Sequence, residues 1–380
     1  MAGPSGPAIL ACRGRGSPAR LSSAVVDHPA RRSILAARLP EIGASAFLVS
    51  APPNVRYLTG FTGSNGQLVL SAEGAVFLTD GRYTEQSRRE VSDLPRVTYA
   101  GDVAPVVAKA AADLGALRVA FEATHVSFRG YQDLSATGLD VVPSSGEVER
   151  LRWAKDPEEL DRLRAAQQVA DLAFQEILGA LSDGVTEKEL ALVLDTEMRR
   201  RGADGLAFDT IAAFGEQAAE PHHSPTDRPL RRGDVVKLDF GCVAGGYHSD
   251  MTRTVAFGEP PTRLREVYEA VRRAQQAGVD AVRAGTTGGE VDRVVRALVV
   301  EAGYGDQFSH PTGHGVGLEI HEGPWLRPGG PDLLPEGAVV TVEPGIYLGG
   351  LGGVRIEDMV EVTAEGSRVI SRVGKDLLVL

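Results

Sequence analysis

Gly233-Asp234-Val235-Val236-Lys237-Leu238-Asp239-Phe240-Gly241 has an altered second copy further along the chain, Gly337-Ala338-Val339-Val340-Thr341-Val342-Glu343-Pro344-Gly345. Each copy starts on glycine, runs through apolar residues and delivers a carboxylate, Asp239 or Glu343, just before its closing dipeptide. The repeat extends upstream. Gly184-Val185-Thr186-Glu187-Lys188-Glu189-Leu190 matches Gly285-Thr286-Thr287-Gly288-Gly289-Glu290-Val291. In both, a Thr-x-x-Glu box opens a helix that a glycine, Gly202 or Gly303, closes. One unit of helices plus a β-ribbon therefore occurs twice. Two such copies related by a pseudo-twofold would build one site at their junction.

Alternation along a strand puts Val235, Lys237 and Asp239 on one face, leaving Val236, Leu238 and Phe240 to pack on helices. A two-residue turn at Ala244-Gly245 would pair Val243 with Gly246 and set Asp239 opposite Asp250 on a returning strand, Tyr247–Val255. In the second copy a three-residue loop, Gly349-Gly350-Leu351, pairs Leu348 with Gly352 and sets Glu343 opposite Glu357. Facing carboxylates repel. One such pair is commonly just a solvated hairpin. Two pairs at matching places of a repeat, each with an apolar reverse face, require a compensating charge. Two divalent ions about 3.5–4 Å apart supply it in hydrolytic sites.

The rest of the chain sets the limits. Its 380 residues exceed one ordinary core, so two domains are expected. A composition of 43% hydrophobic and 24% charged residues is that of a soluble globular protein. No apolar run is long enough to span a membrane. A net charge of -11 repels phosphate backbones and excludes nucleic acid as the main partner. Two cysteines, Cys12 and Cys242, make no disulfide scaffold and fit a reducing cytoplasm.

Residues 1–27, rich in Ala, Gly, Pro, Ser and Arg, read as a disordered tail or an over-extended start. Residues 28–152 read as a small α/β domain, with strands Ala46–Val49, Gln67–Leu70, Ala75–Thr79 and Arg118–Phe121 and helices Arg31–Leu39 and Val103–Leu114. Asp156-Pro157-Glu158-Glu159 then opens a long helix. The boundary falls just ahead of it, so residues 153–380 form the second domain.

Six of the eight histidines lie between residues 222 and 321. His310-Pro311-Thr312-Gly313-His314-Gly315-Val316-Gly317-Leu318-Glu319-Ile320-His321 carries three of them, among glycines that argue for strand or loop. Gly313 and Gly315 leave room for a ligand around His314. One imidazole among four carboxylates makes an oxygen-rich site suited to Mn, Fe or Co, with Zn as an alternative. His223 reads as surface as readily as site, His248 shares a strand face with Asp250, and His28 and His125 read as structural.

Together with Asn54-Val55-Arg56-Tyr57-Leu58-Thr59-Gly60-Phe61-Thr62-Gly63, Asp80-Gly81-Arg82-Tyr83, Phe208-Asp209-Thr210-Ile211, Pro221-His222, Ser249-Asp250-Met251-Thr252-Arg253-Thr254, His321-Glu322 and Gly353-Val354-Arg355-Ile356-Glu357-Asp358, these stretches resemble the pita-bread metallopeptidases. Within that family the resemblance is to the branch of aminopeptidase P and prolidase.

It implies an α+β chain: a C-terminal pita-bread (creatinase/aminopeptidase) fold with an internal pseudo-twofold repeat, preceded by a smaller creatinase-like α/β domain. It further implies a homodimer and two divalent ions, manganese first, with cobalt, zinc or iron as alternatives. By the family pattern Asp250 and Glu357 bridge both ions, Asp239 completes one, and His314 and Glu343 complete the other. Glu343 also resembles the proton shuttle. His222 and His321 look like the residues that contact substrate and the developing oxyanion, with His310 lining the same pocket. Arg355 would orient a carboxylate from behind.

The implied substrate is a peptide with proline in second position. Prolidases usually carry arginine where this chain has Trp325, and Arg327 is out of register. That favours an Xaa-Pro aminopeptidase, with an Xaa-Pro dipeptidase as the alternative. A non-enzymatic binding protein is the remaining class, and the filled ligand positions speak against it.

Overall fold

The computed structural model describes residues 26–380, so the tail expected over 1–27 lies, apart from Val26 and Asp27, outside the described residues. Asp156 caps the helix Pro157–Ile177. Its side chain accepts from Glu159 N while Glu159 reaches back to the cap, and proline opens the first turn.

Ahead of this helix lies a six-stranded sheet in the order Arg96–Tyr99, Ala75–Asp80, Gly66–Ser71, Ala46–Val49, Arg118–Glu122, Asp140–Ser144. The Gly66–Ser71 strand runs antiparallel to both its neighbours, and the other pairs are parallel. Arg96–Tyr99 and Asp140–Ser144, not anticipated from the sequence, are the two edges, and neither buries a residue fully. The helices expected over Arg31–Leu39 and Val103–Leu114 form over His28–Ala37 and Ala104–Asp113. An apolar cluster joins this sheet to the C-terminal half of the chain, uniting Phe47, Phe61 and Phe77 with Leu163, Val316 and Met359.

After Asp156 the same order of elements and the same pairing occur twice. The helices Pro157–Ile177 and Glu187–Arg200 precede the antiparallel strands Ile211–Phe214, Asp234–Phe240 and Met251–Phe257. The helices Thr262–Ala281 and Gly288–Glu301 precede Gly313–Gly315, Val339–Val342 and Asp358–Val362. Both capping boxes form, Thr186 with Glu189 and Thr287 with Glu290. Val236, Leu238 and Phe240 pack under the first helix pair, and Val340, Val342 and Val360 under the second. Among the described residues no helix is long and apolar enough to cross a membrane.

The first ribbon differs from expectation. Val243 pairs with His248 and Ala244 with Tyr247, so the turn is Gly245-Gly246. Asp239 consequently faces Thr252, not Asp250. A two-residue hairpin turn of this kind needs positive φ at both central positions. Gly245 and Gly246 supply φ 57° and 84°, whereas Ala244 would be strained there. The register moves by an even number of residues, so each side chain keeps its face. In the second ribbon Leu348 pairs with Gly352. The same register holds on both sides of Glu343 and Glu357, in the pairs Gly345–Arg355 and Val342–Asp358.

The two copies meet along their ribbons. Glu357 N donates to Thr252 O at 3.1 Å, and Thr254 Oγ1 bridges the Arg355 carbonyl and amide at 3.0 and 3.2 Å. This seam sets Asp250, from the first copy, beside Glu357, from the second.

Candidate metal centre

Asp250, His314 and Glu357 each bring one ligand atom within 4.8 Å of the others, and all three are buried. His314 Nε2 lies 3.5 Å from Asp250 Oδ2 and 3.5 Å from Glu343 Oε1. Its Nδ1 is 3.0 Å from Gly315 O and can only donate there. Nε2 therefore turns a lone pair towards two carboxylates, an arrangement that calls for a proton or a cation between them. The glycines flanking His314 serve a purpose other than the one expected. A Cβ at Gly313 would collide with Thr341 O, and one at Gly315 with Gly323 O. They admit the neighbouring strands rather than a ligand.

Asp239 completes the acidic set. Arg355 holds its Oδ2, while its Oδ1 is buried without a hydrogen-bond partner. Thr252 Oγ1 donates to Glu357 Oε2 at 2.7 Å. Burial, reinforced by the charges of the neighbouring carboxylates, raises the pKa of Asp250 and of Glu357 well above the usual range. Burial pushes Glu343 up to about 8 against the opposing pull of Arg355. Burial, with His321 close by, brings His314 down to about 4 and keeps it a neutral donor. An orphaned oxygen, four crowded carboxylates and one neutral imidazole fit divalent cations that prefer oxygen with some nitrogen.

All five of these residues line one cavity of about 410 Å3, together with His222, His310, His321 and Arg355. The His321 ring stands 4.5 Å from that of His314, edge to face. Trp325 lines the same cavity, its ring 6.2 Å from His314. Arg355 does more than steady Asp239. It donates to Thr252 Oγ1 at 3.0 Å, Tyr347 Oη at 2.7 Å and Pro221 O at 3.2 Å. Tyr347 Oη in turn meets His310 Nε2 at 2.9 Å. Burial takes His310 down to about 3, so it is neutral.

Three contributors escaped the sequence reading. Tyr347 and Thr252 could have been found by alternation, from Glu343 through Gly345 and from Asp250 respectively. Lys237 shares a face with Asp239, and its ammonium reaches Glu220 O and, at 3.4 Å, Pro221 O. Burial, then the nearby Arg355 charge, lowers its pKa to about 7. His223 is buried between Glu187 and Glu220, so the surface reading is set aside. His248 turns to Gly317 O at 3.1 Å, away from the cavity. His28 meets Tyr57 O at 3.0 Å, and His125 is exposed.

Known proteins resemble this chain in sequence and in fold. The pattern of metallopeptidase family M24 matches residues 161–364, and that of the Creatinase/Prolidase N-terminal domain matches residues 31–153. An uncharacterized peptidase of Bacillus subtilis is 41% identical over 90% of this chain and 97% of its own length. An Xaa-Pro dipeptidase of Lactobacillus delbrueckii is 35% identical over 90% of this chain and 96% of its own. Among solved structures, the Xaa-Pro dipeptidase from Bacillus anthracis superposes with a TM-score of 0.91 at 40% identity, covering 93% of this chain and all (100%) of that one. The X-Pro aminopeptidase from Thermotoga maritima gives 0.83 at 37%, covering 90% and 100%. These names lean towards the dipeptidase, the alternative that the tryptophan at 325 had placed second.

Proposed function

The chain belongs to metallopeptidase family M24, a hydrolase with a Creatinase/Prolidase N-terminal domain, and from that premise we propose that it is a two-metal Xaa-Pro peptidase, in the first place a dipeptidase. The observation that carries the reading is the convergence of Asp239, Asp250, Glu343, Glu357 and His314 on one cavity. In this reading Asp239, Asp250, His314, Glu343 and Glu357 would hold the ions. Manganese is the first choice, with cobalt, zinc or iron as alternatives. Divalent ions held there would supply Lewis-acid activation of a water and of the scissile carbonyl.

The side chains do the rest. Glu343, a carboxylate once metal takes the place of its proton, accepts a proton and passes it to the departing proline nitrogen. His222 and His321 meet the substrate carbonyl and its developing negative charge. His310, kept neutral, borders the pocket and holds Tyr347, while Arg355 fixes Asp239 as an oriented carboxylate. The same proposal includes a homodimer, a cytoplasmic setting and the division of the chain between residues 152 and 153.

A second reading, an aminopeptidase acting on longer peptides, is favoured by one feature. A dipeptide ends in a carboxylate that wants a cation. Among the lining residues other than histidines the cation is Arg355, already engaged by Asp239 and Tyr347, and Trp325 occupies the place expected of an arginine. The two readings separate on three substrates given to the manganese- or cobalt-loaded protein: an Xaa-Pro dipeptide, an Xaa-Pro tripeptide and a matched dipeptide without proline. The dipeptidase reading expects the first to be cleaved fastest, by roughly tenfold or more over the third. Faster cleavage of the tripeptide selects the aminopeptidase. Equal rates on all three contradict the role of proline.

A further inference from the structure

Glu187 opens the helix Glu187–Arg200, yet its fully buried side chain takes no part in capping, which Thr186 and Glu189 perform. Its acceptor capacity goes elsewhere. Oε1 accepts from Phe214 N at 2.7 Å. Oε2 accepts from Thr226 N at 2.9 Å and Thr226 Oγ1 at 2.7 Å, and it pairs with His223 Nε2 at 2.8 Å. The Gln217 amide, turned with its nitrogen inward, adds a donor at 2.8 Å. Every partner comes from residues 214–226, the segment that brings His222 to the cavity wall.

A buried carboxylate is costly unless its hydrogen bonds are made. Here they are all made to one loop. The loop is also held from the cavity side, where Arg355 and Lys237 donate to Pro221 O at 3.2 and 3.4 Å. His222 thus sits between two gripped neighbours, Pro221 and His223. The second copy of the repeat has a parallel device. Asp292, on the helix Gly288–Glu301, accepts from Thr312 Oγ1 at 2.9 Å, and Arg296, paired with Asp292, donates to His310 O at 3.0 Å.

We propose that Glu187, gripping His223 and Thr226, is a positioning residue that fixes His222 against the substrate. The inference rests on His222 touching substrate, as proposed above. Its test uses Glu187→Gln and His223→Ala, each alone and combined with His222→Ala, in the metal-loaded protein. Hydrogen exchange at the amides of Phe214 and Thr226 should rise in Glu187→Gln while the strand Asp234–Phe240 stays as protected as in the parent. Metal content should be unchanged. Each single variant should lower kcat/KM by roughly ten- to a hundredfold, the scale expected of a misplaced positioning group. In the His222→Ala background neither should lower it further, because the effects share one route.

Unchanged exchange at Phe214 and Thr226 would overturn the clamp itself. Losses that multiply on top of His222→Ala would mean that Glu187 acts generally on the fold and would overturn the positioning role. Should His222→Ala alone keep parental kinetics while exchange still rises, the assignment of His222 fails and the positioning role goes with it. That outcome is distinct from failure of the clamp.

Discussion

Asp250→Ala is expected to lose metal and turnover together. Asp250 is buried at the seam of the two copies, 3.5 Å from His314 Nε2 and beside Glu357, so it links ligands drawn from both halves of the repeat. Metal ions contribute several kcal/mol of charge stabilisation to such hydrolyses. At about 1.36 kcal/mol per factor of ten, their loss lowers the rate by roughly a thousandfold or more. Metal analysis and kcat/KM on the same preparation check this, and retained activity would refute the assignment. Stability should move the other way. Asp250 is held among like charges, so the isosteric Asp250→Asn should leave the metal-free protein at least as stable as the parent at pH 8. A purely structural aspartate would cost stability when replaced.

Chelation should lower Tm, and lower it more as pH rises. In the metal-free protein Glu343, pushed up to about 8, keeps its proton where an unfolded glutamate, near 4.3, has lost it. The folded state then binds more protons than the unfolded one between those values, so its stability falls as pH climbs through about 8. Asp250 and Glu357 shift in the same direction and add to the effect. Metal takes the place of those protons, so its stabilisation grows with pH. Free metal at 100–1,000 times Kd contributes about 2.7–4.1 kcal/mol. With about 2–4 °C per kcal/mol for domains of this size, the loss on chelation is roughly 5–15 °C at pH 8 and clearly less at pH 5.5. Thermal melts with and without chelator at the two pH values decide it. An equal loss at both, or a larger one at pH 5.5, would contradict the crowded-carboxylate account.

The site was legible where local pattern sets geometry. Alternation put Asp239, Asp250, Glu343 and Glu357 on the right faces, and the glycine loop at 349–351 fixed the second register. The first register was misread because three candidate turn residues follow one another and only φ separates them, Gly245 and Gly246 taking the positive values. The error changed the partner of Asp239 but not its side, since pleating has a period of two. Contacts between residues distant in sequence were invisible. Nothing around His223 announces Glu187, and nothing around Arg355 announces Pro221. In the N-terminal sheet the missed strands, Arg96–Tyr99 and Asp140–Ser144, are edges whose half-solvated residues lack an apolar run.

Both predictions rest on the carboxylates binding cations in pairs. The direct measurement is anomalous scattering from crystals of the manganese-loaded protein. The account predicts two peaks flanked by the carboxylates of Asp250 and Glu357, one next to Asp239 and the other next to His314 and Glu343. No peak there, or manganese bound only at the surface, would contradict it.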